Sequence, residues 1–159
     1  MKKLVFLTTA LLGLICHSAF AEVINFPDGS VYDGEIKDGK RHGQGKFTFS
    51  DGEVYIGQYD NDQRTQGTLT FPNGDIYQGT FKNGVIEGNG SYSYKDGSKY
   101  NGEYKAGKRN GKGEYIFPDG KVYSGYFENN EFSGQGKLSD KTGKVLYEGK
   151  WKNSEPDNK

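Results

Sequence analysis

Few residues in this 159-residue sequence have types and spacings that could do chemistry. Cys16 and His17 fall in an apolar N-terminal stretch, which leaves His42 as the imidazole of the remaining chain. It sits in the turn-like run Lys40-Arg41-His42-Gly43. A general base needs an orienting partner and a nucleophile within reach, and no serine or cysteine motif supplies either, so a solvated turn histidine is expected. The Gly-x-Gly segments have the composition of a phosphate loop, but that chemistry requires glycines between a strand and a helix N-terminus. No helical pattern follows residue 21. Glu35, Glu103 and Glu114 could face other acids across strands at a glycosidase-like separation. Their alternation with Lys and Thr instead places them on a solvated face, away from any pocket able to perturb their titration. No catalytic residue, cofactor or Cys/His metal site is therefore expected.

Binding is the better use of this inventory, and two sets of residues suggest it. Lys40-Arg41 and Lys108-Arg109 occupy equivalent turn positions, with Arg64 between them in a divergent turn. Juxtaposed Lys and Arg contribute about 1 kcal/mol each towards an anionic bilayer, although Val85-Ile86 and Glu131-Phe132 interrupt the stripe. The second set is aromatic: Tyr32, Tyr55, Tyr77, Tyr100 and Tyr123, with Tyr59, Phe81, Tyr104 and Phe127. Rigid rings with polar tips suit protein interfaces, and the same rings are the candidate core. Binding to a protein partner or to a second copy through this face is the leading expectation, and anionic phospholipid the alternative. Carbohydrate binding or hydrolysis on aromatic platforms is more remote. With 21 basic against 21 acidic residues, nucleic acid is not an expected partner.

The elements that position these residues follow from a period. Tyr-x-Gly recurs at Tyr32, Tyr55, Tyr77, Tyr100, Tyr123 and Tyr147, a repeat of 22 to 24 residues. Gly-x-Gly followed by alternating aromatics completes the unit, as in Gly111-Lys112-Gly113-Glu114-Tyr115-Ile116-Phe117. Turn pairs such as Asp38-Gly39, Asn83-Gly84 and Asp119-Gly120 divide each unit, and these residues accept the positive φ of tight reversals. Only about six residues remain per strand, whereas a parallel crossover needs about a dozen, so neighbouring strands must be antiparallel. Alternation gives one face of rings and glycines and one wet face. The rings of one hairpin are expected to cover glycines of the next. Apolar residues are only 32% of the chain, against 25 glycines and 14% aromatics. An isolated unit therefore lacks a core, and stability must come from stacked neighbours.

The run Tyr100-Asn101-Gly102-Glu103-Tyr104-Lys105-Ala106-Gly107-Lys108-Arg109-Asn110-Gly111-Lys112-Gly113 resembles the MORN repeat (membrane occupation and recognition nexus). The resemblance implies an all-β, elongated, twisted antiparallel sheet of serial hairpins. It also implies use in membrane attachment, protein interaction or dimerisation. Five units are expected at 32–54, 55–76, 77–99, 100–122 and 123–146, flanked by half units at 22–31 and 147–153 and a polar tail at 154–159.

Two units depart from the pattern. Unit two runs Asp60-Asn61-Asp62-Gln63-Arg64-Thr65-Gln66, with Asp62 and Thr65 in place of glycines and one residue fewer, so its turn is expected to differ. Unit five is one residue longer before Tyr147, which predicts a bulge there. At the N-terminus, Lys2-Lys3, the apolar residues 4–15 and Ala19-Phe20-Ala21 make a signal peptide spanning 1–21. Export to the periplasm or the exterior is therefore expected.

Overall fold

A computed structural model describes residues 20–158 of the chain. The signal-peptide expectation rests almost wholly on residues outside that range. The described residues contain no helix and form a single antiparallel sheet of thirteen strands in chain order. The strands are β1 (Phe20–Asn25), β2 (Val31–Lys37), β3 (Lys40–Thr48), β4 (Val54–Asp60), β5 (Gln63–Thr70), β6 (Ile76–Lys82) and β7 (Val85–Ser93). They continue as β8 (Lys99–Lys105), β9 (Lys108–Ile116), β10 (Val122–Glu128), β11 (Glu131–Ser139), β12 (Val145–Lys152) and β13 (Glu155–Pro156). Each repeat is one hairpin, from β2–β3 to β10–β11. Ser154 and the short β13 continue β12 into a sixth hairpin.

Turn chemistry separates the two ends of the strands. Within each hairpin the connection is two residues, both at positive φ, as at Asp38-Gly39 (51° and 74°) and Asn61-Asp62 (46° and 69°). That is the mirror-image turn whose twist matches its strands. Between hairpins the chain uses a wider turn, in which Gly29, Gly52, Gly74, Gly97, Gly120 and Gly143 each donate to the carbonyl three residues back. Unit two therefore keeps the turn type of its neighbours, contrary to expectation. Its missing residue comes out of the β-bulge instead. Between the pairs Gly34–Gly45 and Ile36–Arg41, β3 holds two more residues than β2, and β5 holds only one more than β4. The longer bulges need a left-handed glycine at Gly43, Gly88, Gly111 and Gly134. The shorter one does not, so Thr65 can replace it. The bulge predicted near the C-terminus is present: Leu138 pairs with Tyr147 and Ser139 with Val145, leaving Leu146 as the extra residue.

Two ladders cross the sheet side by side. Gly34, Gly45, Gly57, Gly67, Gly79, Gly90, Gly102, Gly113, Gly125, Gly136 and Gly149 pair in sequence from β2 to β12. The next ladder carries the repeat tyrosines, and each ring lies down on the glycines. A Cβ on Gly45 would stand 2.5 Å from the Tyr32 ring, and one on Gly113 2.5 Å from the Tyr100 phenol oxygen. Each ring thus covers the glycines of its own hairpin, not those of the next. The reason is reach: the phenol of Tyr32 extends along its own strand and donates to the Glu35 carbonyl at 2.8 Å. Tyr55, Tyr77, Tyr100, Tyr123 and Tyr147 donate likewise to the carbonyl three residues on.

Contact between units is made by edges of rings. Tyr32 meets Tyr59, Tyr55 meets Phe81, Tyr77 meets Tyr104, Tyr100 meets Phe127 and Tyr123 meets Trp151, all T-shaped with centroids 4.8 to 5.4 Å apart. Such pairs are worth about 0.5–1.5 kcal/mol each beyond the area they bury. The opposite face is less uniformly wet than alternation suggests. Val31, Thr48, Val54, Thr70, Ile76, Ser93, Lys99, Ile116, Val122, Ser139 and Val145 form a cross-strand ladder of mostly β-branched residues there. They stiffen a pleated surface that, among the described residues, has no second layer to pack on.

Candidate functional site

The nine aromatic positions singled out in the sequence all lie on the ring-bearing face and are buried, from 0% exposure at Tyr32 to 7% at Phe81. Together with Tyr147 and Trp151 they are a floor, not a binding surface in themselves. A second tier stands beside and above them. Ile24, Phe26, Phe49, Phe71, Tyr92, Tyr94, Tyr115, Phe117 and Leu138 pack against this floor while remaining partly exposed. Sequence reasoning gave these no binding role, although alternation behind Gly-x-Gly was the signal that puts Phe49, Tyr92, Tyr94, Tyr115 and Phe117 on the ring face.

Arginine supplies the rest of the second tier. Arg41 pairs with Ile36, Arg64 with Tyr59 and Arg109 with Tyr104 across their hairpins, which puts all three on the ring face. The Arg41 guanidinium lies 5.3 Å from the centres of the Phe47 and Tyr59 rings. Arg64 lies 5.4 Å from Tyr55 and 5.2 Å from Phe81, and Arg109 lies 5.1 Å from Tyr115 and 5.6 Å from Phe127. Each also reaches the turn of the following unit: Arg41 donates to the Asp62 carbonyl, Arg64 to that of Gly84 and Arg109 to that of Asn130. In units three and five the same position holds Ile86 and Phe132, and Phe132 stacks on Tyr123 at 3.8 Å. These apolar replacements, which looked like breaks in a basic stripe, mark a site that lies over rings. Lys40 and Lys108 alternate to the other face and are exposed. The five basic residues therefore do not form one patch.

The remaining candidates are occupied structurally. Glu35 accepts from the Gln44 N–H at 2.8 Å and Glu103 from the Lys112 N–H at 2.9 Å, each carboxylate closing a bulge. Glu114 accepts from the Ser124 hydroxyl. His42 Nδ1 is 3.5 Å from Asp60, with its ring a third exposed. Among the described residues, no three of His, Cys, Asp and Glu converge as a metal site would require.

Electrostatics on the ring face are set by burial. It pushes the phenols of Tyr55, Tyr77, Tyr100 and Tyr123 up to about 12. Tyr59 and Tyr104 are raised further by burial, although Arg41 and Arg64 draw Tyr59 back. Asp62 is lifted by partial burial, but the Arg41 N–H and guanidinium, which bond to it at 3.0 and 3.1 Å, hold it below the usual carboxylate range.

Residues of both tiers line two clefts on this face. Towards its C-terminal end Arg109, Tyr115, Phe117, Phe132, Leu138 and Trp151 line a groove of about 520 Å³. Near the N-terminal end a smaller cleft of about 210 Å³ is lined by Arg41, Phe49, Tyr59, Asp62, Gln63, Arg64 and Gly84.

Among the described residues, an open single-layer sheet of serial hairpins, with its aromatic and arginine candidates on one ring-bearing face, defines a tandem β-repeat protein. The MORN repeat model matches residues 32–54, 55–76, 77–99, 100–122 and 123–145, and the chain belongs to that family. Curated proteins include no match. Among solved structures the chain is similar to the TCP10 domain of Danio rerio CPAP in complex with a peptide of Danio rerio STIL, at 21% identity and a TM-score of 0.45. That match covers 82% of this chain and 64% of the other, so the chain spans under two thirds of its length. It is also similar to the SAS-4 (dCPAP) TCP domain of Drosophila melanogaster in complex with a proline-rich motif of Ana2 (dSTIL). That identity is 11%, the TM-score 0.40, and the match covers 90% of this chain and 88% of that one.

Proposed function

We propose that this protein is an exported, non-catalytic interaction module that holds a segment of a protein partner against its ring-bearing face. One observation carries the reading: the second tier of aromatic and arginine side chains is half-exposed along the sheet, and among the described residues no second layer covers it. Aromatic residues and arginine are the types enriched at the centres of protein interfaces. Self-association by strand addition is less well supported. The outer strand β1 carries Glu22 opposite Gly34 on the ring side, and β13 carries Pro156. Inward charge and proline are both devices that blunt a free edge. Peripheral membrane binding finds little support either, because Arg41, Arg64 and Arg109 lie across rings while Lys40 and Lys108 point from the opposite face. Export rests on Lys2-Lys3, the apolar residues 4–15 and Ala19-Phe20-Ala21, and N-terminal sequencing of protein recovered outside the cytoplasm tests it.

Crosslinking in intact cells, followed by identification of the captured protein, tests the binding face. Phe71→Lys and Phe117→Lys, both in the half-exposed tier, should abolish capture of that protein. Lys40→Glu and Lys108→Glu should leave it unchanged. The reverse pattern would move the interface to the turn edge and overturn the reading.

A further inference from the structure

Two residues that line the smaller cleft carry donors that the fold does not use. The Tyr59 hydroxyl and Arg64 Nη1 are both buried and have no hydrogen-bond partner among the described residues, and both residues line the same 210 Å³ space. Tyr59 as a whole is only 3% exposed. Its phenol is flanked by two guanidiniums, since Arg41 lies over its ring at 5.3 Å and Arg64 is its cross-strand partner. Leaving a buried donor unsatisfied costs about 1–3 kcal/mol, and more for a charged one. Two such donors beside one opening ask for a group that only accepts, admitted by a small movement of the Arg64 side chain, because neither donor atom is itself exposed.

We propose that this cleft is a carboxylate-binding pocket that receives an Asp or Glu side chain of the protein partner, with Tyr59 and Arg64 as its donors. Charge selects the ligand. Arg41 and Arg64 bring two positive charges and Asp62 one negative, so a single carboxylate neutralises the pocket and a phosphate dianion overfills it. Arg41 is engaged by Asp62 at 3.1 Å and shapes the wall, while Arg64 has no carboxylate partner among the described residues. The walls of Phe49 and Tyr59 suit the aliphatic stem of an acidic side chain. A built-in comparison exists two units along. Tyr104 is buried with an unpartnered hydroxyl as well, but the arginine of the preceding unit is replaced there by Ile86. One guanidinium without its companion provides no equivalent pocket. This assignment deepens the protein-binding reading, and its test needs no partner.

Acetate and inorganic phosphate are titrated separately into the protein at constant ionic strength, reading the arginine Nε–Hε resonances by NMR. Acetate should shift the Arg64 resonance saturably and bind more tightly than phosphate. Hydrogen bonds to charged groups are the strong ones, so Tyr59→Phe should weaken acetate by about tenfold while Tyr104→Phe leaves it unchanged. Circular dichroism checks that both variants fold. Absence of saturation, equal affinity in Tyr59→Phe, or tighter binding of phosphate would each overturn the assignment. The crosslinking result would stand whichever way this titration falls, so failure here and failure of the protein-binding reading are distinguishable.

Discussion

Gly113→Ala tests the contact on which the whole array depends. The position has an ordinary extended backbone, so the new methyl meets no conformational penalty. It meets the Tyr100 ring instead. Its Cβ would stand 2.5 Å from the phenol oxygen, 2.6 Å from Cε2 and 2.8 Å from Cζ, where carbon atoms normally settle about 3.5–4.0 Å apart. The ring must retreat by about 1 Å, which forfeits a quarter to a half of the dispersion energy of the contacts it opens. Retreat also strains the 2.9 Å hydrogen bond to the Glu103 carbonyl, worth about 1 kcal/mol. The edge contacts to Tyr104 and Phe127 at 5.2 and 4.8 Å suffer as well. Together with the about 1–3 kcal/mol typical of overpacking, the expected cost is about 2–4 kcal/mol. Urea unfolding followed by far-UV circular dichroism measures it. Gly97→Ala is the control, because that residue has φ +91° and nothing within 4 Å, leaving only the left-handed backbone cost of about 1–2 kcal/mol. The decisive arm is a double-mutant cycle with Tyr100→Leu. With the ring gone, Gly113→Ala should cost less than about 0.5 kcal/mol or stabilise the strand. An undiminished cost in that background would refute the account of rings seated on glycines.

Other expectations follow from the same geometry. Tyr100→Phe should lose about 1 kcal/mol with its hydrogen bond, whereas Tyr59→Phe and Tyr104→Phe, which remove unpartnered hydroxyls, should be neutral or raise the thermal midpoint. Four phenols are pushed up to about 12 by burial, so they bind their protons more tightly folded than unfolded, where they titrate near 10. Their stabilising effect is complete below pH 10 and is lost as pH rises towards 12. Absorbance at 295 nm should therefore show cooperative unfolding coincident with late tyrosine ionisation. Asp62 has the opposite sign: held low by Arg41, its contribution is present above the ordinary carboxylate range and is lost as pH falls through its own value. Asp62→Asn should flatten the acid limb of a stability profile. Inserting a glycine after Thr65 would restore the bulge length of the other units, and it should change the urea midpoint by no more than an exposed-loop substitution does.

The sequence by itself determined the repeat, the antiparallel sheet and the side on which the rings gather. Those follow from local rules: Asp-Gly and Asn-Gly reverse the chain, six residues admit only a neighbouring strand, and alternation assigns faces. It also marked unit two as different, because a missing residue changes the count. Only the tertiary structure decided where that loss is absorbed, since the two-residue turn is held by its own φ angles and the bulge is the element with length to spare. It decided, too, that each tyrosine covers its own glycines and that Arg41, Arg64 and Arg109 lie across rings instead of projecting from turns. Alternation records which face a side chain leaves from, but a long side chain comes to rest where neighbouring units provide rings and carbonyls. Those neighbours are about twenty residues away along the chain, where no local pattern reaches.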